Sequence, residues 1–293
     1  MNTPDRQLEP GRDYNSAPLH KLVRARLLAE ELSDRFKEYR YSLGLEVIAK
    51  IDESRHGVRF YARVSSPPPL AVWTSLFADI VHNYRSALDG FAWELANLDG
   101  AKPPKPSQLY FPIFDTHHKW EKARATTLSS MPAFVLDRLN QVQPFHAEPV
   151  RDGIGLLLHA LDIEDKHRAA ISIDLKARDK TFWSYSISYE KIEPGHDPQP
   201  TRWIGPDVTI FDGMPFLEMT SRFRLEKAEG SDLPLVLLVS AEVHGGKFEK
   251  DAFFILRLMD QQVSTSFELV STGTLRPPGE WLTSVGLSAF SVN

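Results

Sequence analysis

The sequence predicts an α+β fold, because two different hydrophobic periods occupy separate parts of the chain. Apolar residues recur at the three-to-four spacing of amphipathic helices in four stretches, at 17–40, about 70–98, about 151–167 and about 250–271. Apolar and polar residues alternate, as in half-buried strands, at about 43–64 and across much of 171–243. We therefore expect a long central helix packed on a second helix, a β-hairpin, an antiparallel sheet and a closing C-terminal helix.

The first part of the chain is expected to run from tail to helix, hairpin and helix. Residues 1–16 form a loose tail, and Ala17 begins the first amphipathic helix. Turn-forming residues at 52–57 separate the two alternating segments, which predicts the hairpin. Three prolines at 67–69 interrupt the second strand and start the long central helix.

The rest of the chain is expected to alternate short helices, strands and loops. Residues 110–114 form either a short strand or an extended clip over the core, and short helices are expected at 120–125 and 132–142. Candidate strands lie at 171–175, 181–189, 208–211, 216–225 and 235–243, with a Pro/Gly-rich loop at 193–206.

Composition excludes several classes of protein. A net charge of -5 over 293 residues gives no general attraction to nucleic acid or anionic membranes, although it leaves room for a local basic patch. The lack of cysteine excludes disulfides, thiolate zinc sites and cysteine nucleophiles. No apolar run approaches the roughly 20 residues of a membrane span, and residues 1–18 lack a signal-peptide pattern. We expect a cytoplasmic protein with no membrane partner.

The change from helical to strand-like composition near residue 170 suggests how the chain is organised. We expect a helical core with an inserted hairpin over 1–169, then the sheet and the C-terminal helix over 170–293. The two parts are either separate domains or one continuous domain. A homodimer is a further hypothesis.

The central helix carries an unusual polar edge. On a helical projection, His82, Arg85 and Asp89 fall within an arc of roughly 60° flanked by small alanines. Asn83 and Ser86 lie on another side, which has the character of a solvent-exposed face. Small neighbours would let a second helix approach the first group closely, and buried polar side chains need partners.

A matching edge occurs on the helix at about 151–167. This helix is apolar on two sides, except for a narrow line formed by His159, Asp162 and Lys166 at i, i+3 and i+7. Each helix thus presents a histidine, a carboxylate and a cation along one edge. Our central hypothesis is that the two edges face each other.

Two interpretations of these edges remain open. In the first, the i, i+4 pairs Arg85 with Asp89 and Asp162 with Lys166 belong to a structural salt-bridge network. In the second, the two histidines act as general acid and base on a phosphodiester while a cation stabilises developing negative charge. The second interpretation makes His82, Arg85 and His159 candidate catalytic residues, and Asn83, Asp89, Asp162, Lys166, His167 and Arg168 candidate binding residues.

The end of the second helix allows a simpler explanation of its charges. His167 and Arg168 would be stabilised by the dipole of a helix C-terminus, or they turn into the cleft and bind an anion. Glu164 and His167 form a Glu-x-x-His pair, but di-metal bundles contain two such pairs. A three-ligand site of His82, His159 and Asp162 is a weaker alternative. We therefore predict no metal and no cofactor.

Two segments carry a resemblance to other proteins. Residues 82–89 read His-Asn-Tyr-Arg-Ser-Ala-Leu-Asp, and residues 165–168 read Asp-Lys-His-Arg. The chain thereby resembles a set of bacterial proteins with a His-Asn-x-Arg-Ser-Ala-Leu-Asp helix and a later Asp-Lys-His-Arg helix end, over about 65–171. The resemblance implies a shared fold and brings no established activity.

More distantly, the paired helices with an arginine in a polar motif resemble the HEPN superfamily. That resemblance implies a metal-independent ribonuclease or a nucleotide-binding helical domain, with RNA or a nucleotide anion as partner. The HEPN signature places a histidine four to six residues after the arginine, whereas here that window holds Gly90, Phe91 and Ala92. His159 would have to replace the missing histidine. The sequence thus leaves an enzyme, a binding module and an interaction protein as hypotheses.

Overall fold

The computed structural model describes residues 17–150, 153–168, 171–177, 184–192, 201–204, 210–232, 235–243 and 245–274. Six α-helices and nine β-strands in these ranges confirm the α+β class. In chain order they are α1 (Ala17–Glu38), β1 (Leu45–Ile51), β2 (Gly57–Val64), α2 (Leu70–Ala96), α3 (His117–Ala125), α4 (Ala133–Gln141), α5 (Ile154–Arg168), β3 (Ser172–Ala177), β4 (Ser184–Tyr189), β5 (Thr201–Ile204), β6 (Pro215–Thr220), β7 (Leu225–Asp232), β8 (Leu235–Val243), β9 (Gly246–Asp251) and α6 (Ala252–Thr272). None of the helices in the described ranges combines the length and apolar character that crossing a bilayer requires.

The chain divides into two compact units, and each unit is assembled from distant segments. Unit 1 contains the described residues of Met1–Leu32, Thr74–Ser172 and Ser240–Asn293, and unit 2 those of Ser33–Trp73 and Ile173–Val239. The hairpin β1–β2 is therefore grouped with the later strands, and α6 is grouped with the helices of the first half. The candidate site residues all belong to unit 1.

Unit 1 is a helical core around the apolar stripe of α2. Phe77, Ile80 and Leu88 are almost completely buried, as the helical period predicts for the inner face of an amphipathic helix. The Phe91 ring stacks on Phe267 of α6 with ring centroids 4.3 Å apart. The last part of β8 and the strand β9 lead into α6, whose first turn is capped where Asp251 accepts a hydrogen bond from Phe254 N.

Unit 2 is built on the predicted hairpin. Strands β1 and β2 pair antiparallel from Leu45 opposite Val64 to Ile51 opposite Val58. The hairpin is extended by β6 and β5 into a four-stranded sheet of order β1-β2-β6-β5, while β4 pairs antiparallel with β7. Strand β3 is the neighbour of β8. On the buried face of the hairpin, the Phe60 ring contacts the rings of Tyr185 and Phe216.

Three details of the strands differ from the sequence predictions. The expected single strand at 216–225 is divided into β6 and β7, because the chain turns where Phe223 N donates to Ser221 Oγ. The expected loop at 193–206 contains β5, an edge strand held by β6. Strand β9 was not predicted. The predicted tail at 1–16 and the first half of the predicted strand at 208–211 lie outside the described residues, and residues 210 and 211 are not part of a strand.

Candidate functional site

The two polar edges of unit 1 meet through a hydrogen bond between α2 and α5. His82 Nδ1 lies 3.0 Å from Asp162 Oδ1. The Asp162 side chain is only 6% exposed, whereas that of His82 is 44% exposed. A buried carboxylate that accepts from Nδ1–H fixes the tautomer of the ring, so that the lone pair resides on Nε2.

Arg85 and Asp89 hold the backbone of the extended segment 109–114. Arg85 Nη2 donates to the carbonyl oxygen of Phe111 over 3.2 Å and pairs with Asp89 Oδ1 over 2.7 Å, and Asp89 Oδ1 accepts from Phe111 N over 2.9 Å. Both backbone polar groups of Phe111 are thereby bonded to one turn of α2. The extended clip, rather than a short strand, is the conformation found here.

A buried glutamine holds the other end of the clip. Gln143 Nε2 donates to the carbonyl oxygen of Pro112 over 3.0 Å, and its Oε1 accepts from Phe114 N over 3.1 Å. The same amide donates to Leu139 O at the end of α4. The clip is therefore fixed from two sides, which gives the wall it forms a defined position.

This wall forms one side of an open cavity of about 760 Å³, here named the Arg85 cavity. Four of its lining side chains are cationic and two are carboxylates, alongside one histidine. They are Arg85, Lys105, Lys119 and Lys122, then Asp89 and Asp162, and finally His159. The ring of Tyr110, which is 58% exposed, and the side chain of Ile163 also line it. Cationic side chains therefore outnumber carboxylates in this lining, although the chain has a net charge of -5 and Lys119 is paired with Asp115.

Among these groups, Arg85 stands out for its burial and its incomplete hydrogen bonding. The residue is only 4% exposed. Its Nη1 is buried and has no hydrogen-bond partner within the described part of the chain, although its Nη2 has two acceptors. Buried guanidinium donors ordinarily find acceptors, because an unsatisfied buried donor costs about 1–3 kcal/mol or more.

The environment of Asp89 disfavours its charge. Burial raises the pKa of Asp89 above its ordinary value, and the neighbouring Asp162 carboxylate acts in the same direction. The Arg85 guanidinium and the Phe111 N–H act against this rise without cancelling it.

The structure brings together only part of the predicted site. Arg85, Asp89, His159 and Asp162 line one cavity, but His82 is not among the described residues that line it, although it is hydrogen-bonded to Asp162. Asn83 Nδ2 donates to Asp79 O one turn back on its own helix. Helix α5 extends through Lys166, His167 and Arg168, whose side chains lie outside the described residues.

Sequence analysis missed the basic rim of the cavity. Lys119 and Lys122 lie three residues apart on α3, a spacing that places both on one side of a helix. That spacing was a usable signal, but only the fold shows that α3 faces Arg85. No group of three or more potential ligands suited to a metal ion occurs within the ranges that the structure describes.

Sequence analysis also missed a buried ionic cluster. Arg26 donates to both carboxylate oxygens of Asp260, over 2.7 and 3.0 Å, and Tyr84 OH donates to the same carboxylate over 3.2 Å. Arg26 lies four residues after Leu22, on the apolar face of α1. A charged residue on an apolar face signals a buried partner, but the sequence does not identify it.

Comparison of the chain with protein-family models, with curated proteins and with solved structures found no match. The fold and the side-chain geometry are therefore the basis for any statement about function.

Proposed function

We propose that unit 1 binds a phosphate group of a nucleotide or of RNA in the Arg85 cavity. One observation carries the proposal, namely the buried Arg85 guanidinium with two satisfied contacts through Nη2 and none through Nη1. Guanidinium groups bind phosphate through paired hydrogen bonds. Nη1 is buried, so a phosphate oxygen would reach it after a shift of the guanidinium towards the cavity, and the new hydrogen bond would remove the cost of the unsatisfied donor.

Charge and size support a phosphorylated ligand. Lys105 and Lys122 are exposed cations at the same cavity, so a ligand would meet positive charge from the chain just before the clip and from α3. The volume falls within the roughly 300–1,000 Å³ typical of small-molecule sites. The exposed ring of Tyr110 offers a face on which a base can stack.

An alternative is that the polar residues serve the fold alone. It is favoured by the two hydrogen bonds that fix Phe111 to Arg85 and Asp89. Substituting Arg85 would remove its hydrogen bond to Phe111 and would also weaken phosphate binding. Arg85 variants therefore do not separate the two hypotheses. Lys105 and Lys122 do separate them, because neither takes part in fixing Phe111.

The decisive experiment is calorimetric titration at low salt with inorganic phosphate, adenosine 5′-monophosphate and a short single-stranded RNA. Low salt is used because screening weakens exposed charges. We expect the Lys105→Gln/Lys122→Gln double variant to bind about tenfold more weakly, a loss of about 1.4 kcal/mol. Its unfolding temperature should match that of the parent.

The matched control is Lys102→Gln, which removes an exposed lysine three residues before Lys105 that does not belong to the cavity lining. Failure of all three ligands to bind the parent protein would refute the proposal. The proposal would also be refuted if the double variant and Lys102→Gln bound the ligands with equal affinity.

A second candidate is metal-independent cleavage of RNA. It is favoured by the position of Asp162, which lines the cavity and accepts from His82, while His159 lines the same cavity one turn earlier on α5. Two imidazoles near a bound phosphodiester can act as base and acid, with Arg85 as the charge-stabilising cation. RNA that stays intact with and without chelator would eliminate this candidate while leaving phosphate binding to be judged by titration.

A further inference from the structure

We propose that Ser86 is a nucleophile activated by His82 and Asp162, and that this face of α2 hydrolyses a carboxylic ester. Ser86 Oγ lies 3.3 Å from His82 Nε2, and His82 Nδ1 lies 3.0 Å from Asp162 Oδ1. Serine, imidazole and carboxylate are thus joined in the order of atoms that hydrolases with a serine nucleophile use. This arrangement has been reached on unrelated folds, so it is recognised by geometry rather than by sequence position.

Helical spacing explains half of the arrangement, and tertiary structure explains the rest. Sequence analysis assigned Ser86 to a different side of α2 from His82, but Ser86 follows His82 by four residues and its hydroxyl lies beside the imidazole, so the two side chains are neighbours. Asp162 comes from α5 and is 80 positions away along the chain. Because the carboxylate accepts from Nδ1–H, the Nε2 lone pair is the one that faces the Ser86 hydroxyl.

The exposure of the three side chains suits their roles. Asp162 is buried and oriented, Ser86 is half-buried, and His82 is partly open to solvent. Solvent and a small substrate can therefore reach the hydroxyl, while the carboxylate that positions the ring is shielded. Ser86 and His82 are also not among the described residues that line the Arg85 cavity, so this inference does not require phosphate binding, although Asp162 contributes to both places.

The reaction is balanced within these groups and water. Ser86 Oγ attacks the carbonyl carbon as its proton moves to His82 Nε2, and collapse of the tetrahedral intermediate expels the alcohol, which takes that proton. Water, deprotonated by the same imidazole, then hydrolyses the acyl-serine, which releases the acid and restores Ser86. Asp162 is a positioning residue, because it acts through His82.

An ester is the substrate class that an open site of this kind favours. Esters have better leaving groups than amides, so their cleavage needs less stabilisation of the transition state. A site on the exposed side of a helix supplies less preorganised stabilisation than an enclosed cleft. We therefore expect activity on small, reactive esters such as p-nitrophenyl acetate.

The test is covalent labelling of the full chain with a fluorophosphonate, followed by peptide mass spectrometry. Ser86 Oγ would displace fluoride from phosphorus and leave a phosphonyl adduct on Ser86. We expect His82→Gln to slow this labelling on the order of 100-fold, the usual contribution of a general base. Asp162→Asn should change the pH dependence of the rate, a readout that a purely structural role would not affect.

Two controls keep the outcome interpretable. Ser129 is an exposed serine whose hydroxyl donates to Thr126 O, and Ser129→Ala should leave ester hydrolysis unchanged, whereas Ser86→Ala should abolish it. Circular dichroism melts would verify that each variant is folded. The proposal is overturned if Ser86 is labelled no faster than Ser129, or if folded His82→Gln protein is labelled as fast as the parent.

Discussion

Asp89 combines a buried position with two roles, as partner of Arg85 and as acceptor for the backbone of Phe111. Because burial raises its pKa, the folded protein binds the Asp89 proton more tightly than the unfolded chain does. The contribution of this group to stability is therefore greatest below the unfolded pKa. It falls as the pH rises through the unfolded pKa towards the folded one, and is constant above that.

We predict that Asp89→Asn removes this pH dependence, because the amide does not titrate. The measurement is the free energy of unfolding in urea for parent and variant from about pH 3 to about pH 7. The parent should lose stability relative to the variant as the pH rises. A relative gain would contradict the raised pKa, and titration of Asp89 by NMR gives an independent measurement of the same quantity.

At the scale of single elements, the end of α6 depends on two residues of different kinds. Gly273 has φ of 77° and ends the helix in the left-handed conformation, which favours glycine. Arg138 of α4 donates through Nη1 to Val270 O over 3.0 Å and to Ser271 O over 3.2 Å. A buried cation thus satisfies carbonyl groups at the negative end of the helix dipole.

We predict that Gly273→Ala destabilises the protein more than Gly100→Ala does. Both glycines have φ near 77°, but a Cβ at Gly273 would lie 2.7 Å from Arg138 Nη2, whereas a Cβ at Gly100 would meet nothing within 4 Å. The backbone cost of roughly 1–2 kcal/mol is common to both variants. Displacement of Arg138 should add about 1–3 kcal/mol at Gly273 alone.

Chemical denaturation of the two glycine variants and the parent measures this difference directly. Equal losses would show that Arg138 adapts without cost, which would contradict its role as a fixed cap of α6.

At the scale of the molecule, the Arg26 and Asp260 pair joins segments separated by 234 positions within unit 1. Both side chains are buried, and Tyr84 of α2 completes the cluster. Burial raises the pKa of Tyr84 well above its ordinary value, with the Asp260 carboxylate acting in the same direction. The tyrosine hydroxyl therefore stays a neutral donor to that carboxylate.

We predict that Arg26→Met costs about 3–5 kcal/mol, because it leaves the Asp260 carboxylate buried without its cation. The control is Arg63→Met, since Arg63 forms an exposed pair with Glu46 at 3.7 Å and such pairs contribute about 1 kcal/mol or less. Urea denaturation measures both variants. The Arg26→Met/Asp260→Leu double variant should recover much of the loss, and a loss no larger than that of Arg63→Met would contradict the prediction.

Local periodicity was sufficient for most elements. The apolar stripe that includes Phe77, Ile80 and Leu88 predicts α2, and the alternation of Val58, Phe60 and Ala62 predicts β2, because each pattern follows from the geometry of one segment. Strand β5 escaped prediction since its hydrogen bonds come from β6. The partner, rather than the four residues themselves, makes that segment a strand.

Some features of the candidate site can likewise be predicted from one segment, and others depend on tertiary structure. The edge of His82, Arg85 and Asp89 can be read from helical spacing, as can the edge of His159 and Asp162. The contact of His82 with Asp162, and the cavity that Lys105 and Lys122 share with Arg85, depend on segments brought together by folding.

By itself the sequence determined the fold class, the principal helices, the hairpin and the two polar edges, because these depend on residue type and spacing within one segment. Only the tertiary structure decided which carboxylate positions His82, which backbone carbonyl accepts from Arg85 and which charge neutralises Arg26. Those pairings join positions between 26 and 234 residues apart. A local pattern shows that a buried polar group needs a partner, but the packing of the whole unit selects that partner.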